Sequence, residues 1–207
     1  KFVLVHNGVI ENYGTLKRFL EGKGMSFASE TDSEVLCNLI AYHYSELPED
    51  EDRFIDAVRL ALPKCRGAYG IAVLCLDYPD VMIGARRGSP LVVGLGEDAN
   101  YIASDASAFV GRAKEAVFLN DGELAILDKG GFRITTLEGQ DAQAVTHPLD
   151  QILEEVELGD VDSYMEKEIY EQPAALENTL RGRFGDDGTT AKLGGLEGHE
   201  DVLRDLD

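Results

Sequence analysis

Cysteine and long apolar runs are scarce in this chain, and both shortages limit what it can be. Its 207 residues include three cysteines, which lie far apart and form no CxxC pair. Such spacing argues against a disulfide framework and against a zinc site, and it suits a reducing, cytoplasmic compartment. No apolar run approaches the roughly 20 residues that a membrane-spanning helix requires. We therefore expect a globular protein without a membrane partner.

Basic residues are also few: 19 Lys and Arg stand against 39 Asp and Glu, for a formal net charge of −20. Nucleic acids and anionic lipids bind mainly through Lys and Arg, so neither is an expected partner. The glycines fit neither GxGxxG nor GxxxxGK, the patterns typical of nucleotide-binding loops. The sequence therefore predicts no nucleotide site, no metal site and no cofactor.

The hydrophobic period changes along the chain. Apolar residues recur at helical spacing up to about residue 62 and then form short continuous runs, which are typical of strands. Helices followed by strands indicate an α+β layered fold, with two packed sheets and helices outside. Residues 139–162 have little periodicity, and Pro173 should interrupt a helix over 164–180. We expect helices beginning near residues 12, 31 and 54, a short helix over 105–110, and strands at 2–5, 68–76, 81–85, 91–95, 101–103, 116–119, 123–127 and 132–135.

Two of the predicted helices begin with capping signals. Asn12 can cap the first helix. Residues 31–34 (TDSE) form a capping box, in which Thr31 accepts a hydrogen bond from the Glu34 N–H and Glu34 reaches back. These signals predict where the first two helices start.

The opening strand runs directly into residues 6–12 (HNGVIEN). Gly8 has no Cβ to cover its backbone N–H, and the Asn7 side-chain amide can point the same way. Two neutral donors that converge on one point are what an oxyanion hole needs, because negative charge appears there only in the transition state. The alternative is that Asn-Gly is simply a common turn dipeptide.

Other candidate residues each allow two interpretations. Asp32 stands in the first turn of a helix, where the dipole favours a carboxylate; it could also bind the ammonium group of a ligand. His6 fits a structural place at a strand end as well as a place in a site. Cys37 and Cys75 are expected to be buried and Cys65 to be accessible, but none has a neighbour that would activate it.

The connection at residues 86–91 (RRGSPL) joins two predicted strands. Pro90 occupies a permitted turn position in it. Arg86 and Arg87 either belong to a tight connection or are exposed and meet an anion.

Together these motifs resemble the class II glutamine amidotransferases, whose nucleophile is N-terminal. HNGVIEN is similar to the HNGxIxN motif of that family, and ETDSE at 30–34 follows at the family's spacing. The RGSPL and KEIYEQP segments favour the glucosamine-6-phosphate synthase branch over the amidophosphoribosyltransferases. The segments that occur in the order of that branch are RGAYG at 66–70, RGSPL at 87–91, ASD at 103–105 and KEIYEQP at 167–173.

The resemblance implies a four-layer αββα sandwich of the N-terminal-nucleophile hydrolase type. It implies hydrolysis of L-glutamine, with ammonia passed to a sugar-isomerase domain that takes fructose-6-phosphate, in an enzyme that is usually a homodimer. Asn7 and Gly8 would then hold the oxyanion, and Asp32 would bind the α-ammonium group of glutamine. His6 would join Gly8 and Asp32 among the substrate-binding residues. The glutaminase domain is expected over residues 1–183, with a linker and lead-in to the isomerase over 184–207.

The chain also departs from the family pattern. The family's nucleophile is a cysteine at residue one of the mature chain, whereas residue one here is Lys1. We therefore expect a glutaminase domain that is incomplete at its N-terminus, inactive by itself and prone to aggregate through unpaired sheet edges. The alternatives are the glutaminase domain of an amidophosphoribosyltransferase and a non-catalytic binding module.

Overall fold

The computed structural model describes residues 1–149 and 163–180. The chain divides into two compact units, Lys1–Val156 and Glu157–Asp207. The first unit begins with a strand and three helices and continues mainly as strands, in the order that the sequence predicts. Its helices are α1 (Tyr13–Gly22), α2 (Asp32–Glu46) and α3 (Arg53–Ala61), and its strands are β1 (Phe2–Ile10), β2 (Gly67–Cys75), β3 (Tyr78–Arg87), β4 (Val92–Leu95), β5 (Asn100–Ala103), β6 (Glu115–Phe118), β7 (Glu123–Asp128), β8 (Gly131–Thr136) and β9 (Thr146–Pro148).

The strands form two antiparallel sheets. The first has the order β1-β2-β3-β7-β8 and the second the order β5-β4-β6-β9. Short turns join β2 to β3, β4 to β5 and β7 to β8, where Asp128 pairs with Gly131, whereas helices α1–α3 lie between β1 and its neighbour β2. This is the two-sheet α+β arrangement that the change of hydrophobic period predicts.

Three apolar clusters separate the layers. The largest lies between the first sheet and helices α1–α3, and it includes Leu36, Leu39 and Ile71, all fully buried. The second lies between the two sheets, and the third covers the outer face of the second sheet with a 3₁₀ turn at Ala106–Phe109. Each fully buried Leu or Ile contributes about 1.5–3 kcal/mol, so the helix layer is held to the sheet mainly by burial.

The predicted capping interactions are only partly correct. Thr31 accepts from the Glu34 N–H as expected, at 3.3 Å. The Glu34 carboxylate does not reach back to residue 31; it accepts from the N–H groups of Ala28 and Ser29, because Ser29 Oγ already accepts from the Thr31 N–H. These contacts fold the segment before α2 onto the first turn of the helix.

The Asn12 side chain also differs from its prediction. Asn12 precedes α1 but makes no side-chain cap. Its carboxamide bridges instead to the Lys64 carbonyl and the Arg66 N–H, at 2.9 and 2.8 Å. A residue that tertiary contacts occupy is not available to cap the helix that follows it, so α1 begins without a side-chain cap.

Two other predictions on element boundaries were wrong. Residues 139–162 were expected to be irregular, but β9 forms within them and pairs with β6. The described part of the second unit is one helix, α4 (Tyr164–Leu180), and it continues through Pro173 instead of breaking there. The predicted linker at 184–207 lies outside the described residues.

Strand β1 is an edge of the first sheet among the described residues. Its side chains alternate: Phe2, Leu4 and Ile10 pack on the helix layer, while Val3 and Val5 are largely exposed. No helix in the part of the chain that the structure describes is long and apolar enough to cross a membrane.

Candidate functional site

The HNG segment lies within the edge strand β1, which continues to Ile10 instead of turning after Val5 as the sequence predicts. His6 follows Phe2 and Leu4 on the face that meets the helices, and its side chain is only 2% exposed. Asn7 is exposed. Since successive side chains of a strand point to opposite faces, His6 and Asn7 lie on opposite faces of the sheet.

Gly8 adopts a backbone conformation that only glycine accepts readily, with φ of +134°. A Cβ at this position would fall 2.2 Å from the Ala68 carbonyl oxygen. Gly8 pairs with Tyr69 of β2, so the strand that it belongs to remains in register. Glycine is therefore needed at this position for two reasons: it accepts the positive φ, and it lets β1 approach β2 closely.

The first turn of α2 contacts this strand directly. Asp32 Oδ2 accepts a hydrogen bond from the Ile10 N–H at 2.8 Å. His6 Nδ1 lies 3.1 Å from Ser33 Oγ and 3.8 Å from Asp32 Oδ1. The HNG and TDSE motifs, about 25 residues apart in sequence, are thus in contact on the helix face of the sheet. Sequence reasoning did not single out Ser33, because a serine in a helix's first turn carries no distinguishing signal.

A small cavity of about 160 Å³ opens on the other face, between the two sheets. Asn7 lines it, together with its β1 neighbours Val5 and His6 and with Gly70 and Ala72 of β2. Leu91, Ile102 and Ser104 line it from the side of the second sheet. Asp32 does not line this cavity. The structure therefore brings His6 and Asp32 together and places Asn7 at a cavity on the opposite face.

The RRGSPL segment, whose two arginines end strand β3, packs against β2 beside the HNG segment of β1. Arg87 donates to the carbonyls of Gly67 and Cys65, at 3.0 and 2.6 Å, and Arg86 pairs with Asp121 at 2.9 Å. Both arginines are partly buried and hold the connection in place. The alternative that they are exposed and meet an anion is not supported by these contacts.

The cysteines do not form a catalytic group. Cys65, expected to be accessible, is 1% exposed, because it follows a 3₁₀ turn that places its thiol within reach of the Ala61 carbonyl. Burial raises the pKa of Cys65 to about 11 and also raises the pKa of Cys75 and Cys37. Cys75 is buried as predicted, whereas Cys37 is only partly buried. A thiol with a raised pKa is a poor nucleophile at neutral pH.

A larger cleft of about 520 Å³ lies elsewhere, beside the loop before α3. Its lining includes Tyr44, Arg53 and Asp77 but none of the HNG or TDSE residues. Tyr44 donates a hydrogen bond to Asp77 at 2.7 Å, and burial raises the pKa of this tyrosine. The Tyr44 hydroxyl and the Asp77 carboxylate in this cleft are thus engaged with each other.

Comparison with known proteins places these features in a family. Residues 1–111 match the glutamine amidotransferase domain family. The glutamine–fructose-6-phosphate aminotransferase (isomerizing) of Chlorobaculum tepidum is 41% identical over 97% of this chain and 32% of its own length. The enzyme of the same name from Thermus thermophilus is 43% identical over 94% of this chain and 31% of its own length. The chain thus spans about a third of the length of these curated relatives.

A solved structure shares the fold. The glutamine phosphoribosylpyrophosphate amidotransferase from B. subtilis, complexed with ADP and GMP, aligns with a TM-score of 0.54 and 28% identity, covering 66% of this chain and 29% of that one. This likeness confirms the predicted α+β sandwich of the N-terminal-nucleophile amidotransferases. Since the family match extends over more than half of the sequence, the chain belongs to the glutamine amidotransferase domain family.

Proposed function

We propose that this chain is the glutaminase portion of a glutamine–fructose-6-phosphate aminotransferase, which hydrolyses glutamine and supplies ammonia for the synthesis of glucosamine-6-phosphate. The family match and the names of relatives about 40% identical to the chain support this assignment. L-glutamine is then the ligand of this chain. Fructose-6-phosphate would bind to a sugar-isomerase part outside it.

The observation that carries the proposal is the contact between the two motifs. Asp32 of TDSE accepts from the backbone of the strand that contains HNG, and Ser33 meets His6. This contact fixes the start of α2 relative to Gly8, which is the type of rigid support that a binding site needs. A chance Asn-Gly turn would not require a helix start to be bound to it.

Within this proposal the residues have separate tasks. The Asn7 amide and the Gly8 N–H stabilise the oxyanion, for which the loss of one donor typically costs on the order of 10²–10³ in rate. Asp32 binds the α-ammonium group of glutamine, which requires the ligand to pass the free edge of β1 from the face of Asn7 to the face of Asp32. His6 supports the start of α2 on the face of Asp32. None of the three cysteines of this chain is assigned as the nucleophile, because burial raises the pKa of each.

The wider assignments belong to the same proposal. Residues 1–183 would form the glutaminase domain and 184–207 the lead-in to the isomerase. The full-length enzyme would be a cytoplasmic homodimer, a setting that three free thiols suit. Neither a cofactor nor a metal is needed for amide hydrolysis of this type.

The test is a titration of the 207-residue chain with L-glutamine, followed by NMR. We expect the largest shifts at the Asn7 side-chain amide and the Gly8 backbone amide, and we expect Asp32→Asn to weaken the affinity. A chain that does not bind glutamine at millimolar concentration, or that shifts only at the cleft of Tyr44 and Arg53, would contradict the proposal. In that case the non-catalytic module becomes the better account.

A second candidate is the glutaminase domain of an amidophosphoribosyltransferase. The shared fold of the B. subtilis enzyme favours it, although the identity is 28%, compared with 41% for the Chlorobaculum relative. The coding sequence after Asp207 separates the two. A sugar-isomerase domain supports the proposal, and a phosphoribosyltransferase domain supports the second candidate.

A further inference from the structure

Ser89 belongs to the connection between β3 and β4, and that connection is held firmly. The Gly88 N–H donates to Asp121 Oδ1 at 3.0 Å, and Gly88 forms a bridge with Tyr69 of β2. Gly88 has a φ of +74°, so its backbone turns sharply just before the serine. These contacts fix the position of Ser89 relative to β2.

The side chain of Ser89 lies beside the HNG segment of β1. A Cβ built on Gly8 would come within 3.0 Å of Ser89 Oγ, and one built on Gly70 would come within 3.5 Å of Ser89 Cβ. Gly70 pairs with Asn7 in the β1–β2 register. The hydroxyl therefore stands beside Gly8, and the Ser89 side chain lies beside the strand partner of Asn7.

This hydroxyl has no partner among residues 1–149 and 163–180, although Ser89 is only 9% exposed. Thr135, the other buried Ser or Thr of the described chain, is paired: its hydroxyl accepts a hydrogen bond from Arg59 at 3.1 Å. The Ser89 oxygen is not one of the fully buried polar atoms without a partner, which in the described chain are His6 Nε2, His43 Nε2, Arg59 Nε and Tyr69 Oη, so it meets solvent. The small remaining exposure leaves Ser89 Oγ accessible to a ligand.

We propose that Ser89 Oγ accepts a hydrogen bond from the side-chain NH₂ of glutamine bound at Asn7 and Gly8, an inference that rests on the proposed function. Asn7 and Gly8 supply donors, which suit the carbonyl oxygen of the carboxamide. The NH₂ of the same group needs an acceptor on the other side, and a hydroxyl can accept as well as donate. Ser89 thereby orients the amide and recognises the group that leaves as ammonia.

The experiment compares two ligands on the 207-residue chain, L-glutamine and its analogue L-glutamate 5-methyl ester, which has no amide N–H. Ser89→Ala should weaken glutamine about two- to tenfold, the usual contribution of one hydrogen bond, and leave the ester unchanged. Ser89→Thr, which keeps the hydroxyl, should retain most of the glutamine affinity. Thr135→Val is the matched control, because it removes a buried hydroxyl from the far edge of the first sheet and should alter neither affinity.

The outcomes separate the two proposals. If the wild-type chain does not bind glutamine, the proposed function fails and this inference fails with it. If glutamine binds but Ser89→Ala leaves its affinity unchanged, or weakens both ligands equally, only the role of Ser89 is wrong. If Ser89→Ala does not fold, an NMR titration of the wild-type chain tests the role of Ser89 instead. We then expect glutamine to shift the Ser89 Cβ resonance and the methyl ester to shift it less. An unmoved resonance would overturn the inference.

Discussion

The carboxylate of Asp32 accepts a hydrogen bond from the backbone N–H of Ile10, with 2.8 Å between Oδ2 and the nitrogen. The bond links the first turn of α2 to the last residue of β1. Asp32 also sits where the helix dipole favours a negative charge. One carboxylate thus has a structural task that exists without any ligand, in addition to the ligand-binding task proposed for it.

Substitution at Asp32 should separate these two tasks. Asp32→Ala leaves the Ile10 N–H without its partner and should lower the free energy of unfolding by about 1–3 kcal/mol. Asp32→Asn keeps an oxygen acceptor but loses the charge, so it should cost less than about 1 kcal/mol while still weakening glutamine. Urea unfolding and a glutamine titration of both variants measure the two effects.

Asp105→Asn is the control for the loss of a carboxylate from a helix start. Asp105 accepts from the Ser107 N–H at 2.8 Å and does not line the cavity of Asn7, although its neighbour Ser104 does. Its replacement should alter stability slightly and glutamine affinity not at all. If Asp32→Asn behaves like Asp105→Asn in both measurements, Asp32 is a structural residue only.

Gly8→Ala should damage both the fold and the site. The φ of +134° is strained for alanine, at about 1–3 kcal/mol, and the added Cβ would clash with the Ala68 carbonyl. We expect a lower midpoint in thermal unfolding and loss of glutamine binding, because the β1–β2 register must shift to accept the methyl group.

Gly14→Ala provides the matched control for this change. Gly14 lies in α1, and a Cβ there would meet nothing within 4 Å. Alanine is the better helix former by about 0.5–1 kcal/mol, so this variant should be more stable than the wild type. An equal response of the two variants would show that the Gly8 conformation is not required.

Much of this architecture could be predicted from local patterns. The continuous apolar run of β2 and the Thr31 cap each follow from neighbouring residues, so sequence reasoning found them. β9 could not be found in this way, because all three residues of Thr146–Pro148 are exposed and form a strand only by pairing with β6. Pro173 was misjudged for a related reason: the helix formers on both sides outweigh one missing N–H.

The site shows the same limit at the level of side chains. The motifs predicted which residues matter, but the strand's alternation decides that His6 and Asn7 face opposite sides. The partners of Asn12 lie more than 50 positions away, at Lys64 and Arg66. Likewise, the sequence does not indicate a role for Ser89, because its position beside Gly8 is seen only in the structure. Contacts between distant segments are what a one-dimensional pattern does not contain.

The ionisation of Asp121 should make the stability of the fold depend on pH. The Gly88 N–H, and then the nearby Arg86 guanidinium, hold the pKa of Asp121 below its ordinary value. A lowered pKa stabilises the fold above the ordinary pKa, near 4, and that contribution disappears as the pH falls through the folded value. Asp121→Asn should therefore lower the melting temperature at pH 7 and have little effect near pH 2.

The variant Asp80→Asn tests whether the loss of any exposed carboxylate lowers the melting temperature at pH 7. Asp80 pairs with Lys129 at 2.8 Å on the surface, and such pairs contribute little. The melting temperature of Asp80→Asn should equal that of the wild type at pH 7 and at pH 2. A difference between wild type and Asp121→Asn that persists at pH 2 would mean that the carboxylate is not the source of the stabilisation.

Thiol labelling should reveal the order of exposure of the three cysteines. The reaction requires the thiolate, and at pH 8 a group with a pKa of about 11, as burial gives Cys65, is ionised only to about 10⁻³. In the folded chain, a maleimide should therefore modify the partly buried Cys37 first, with Cys65 and Cys75 modified only after denaturation. Peptide mapping after timed labelling, with a guanidinium-unfolded sample as the control, measures the three rates. Rapid modification of Cys65 in the folded chain would contradict its burial and would restore it as a candidate nucleophile, against the assignment of this chain to binding and oxyanion stabilisation.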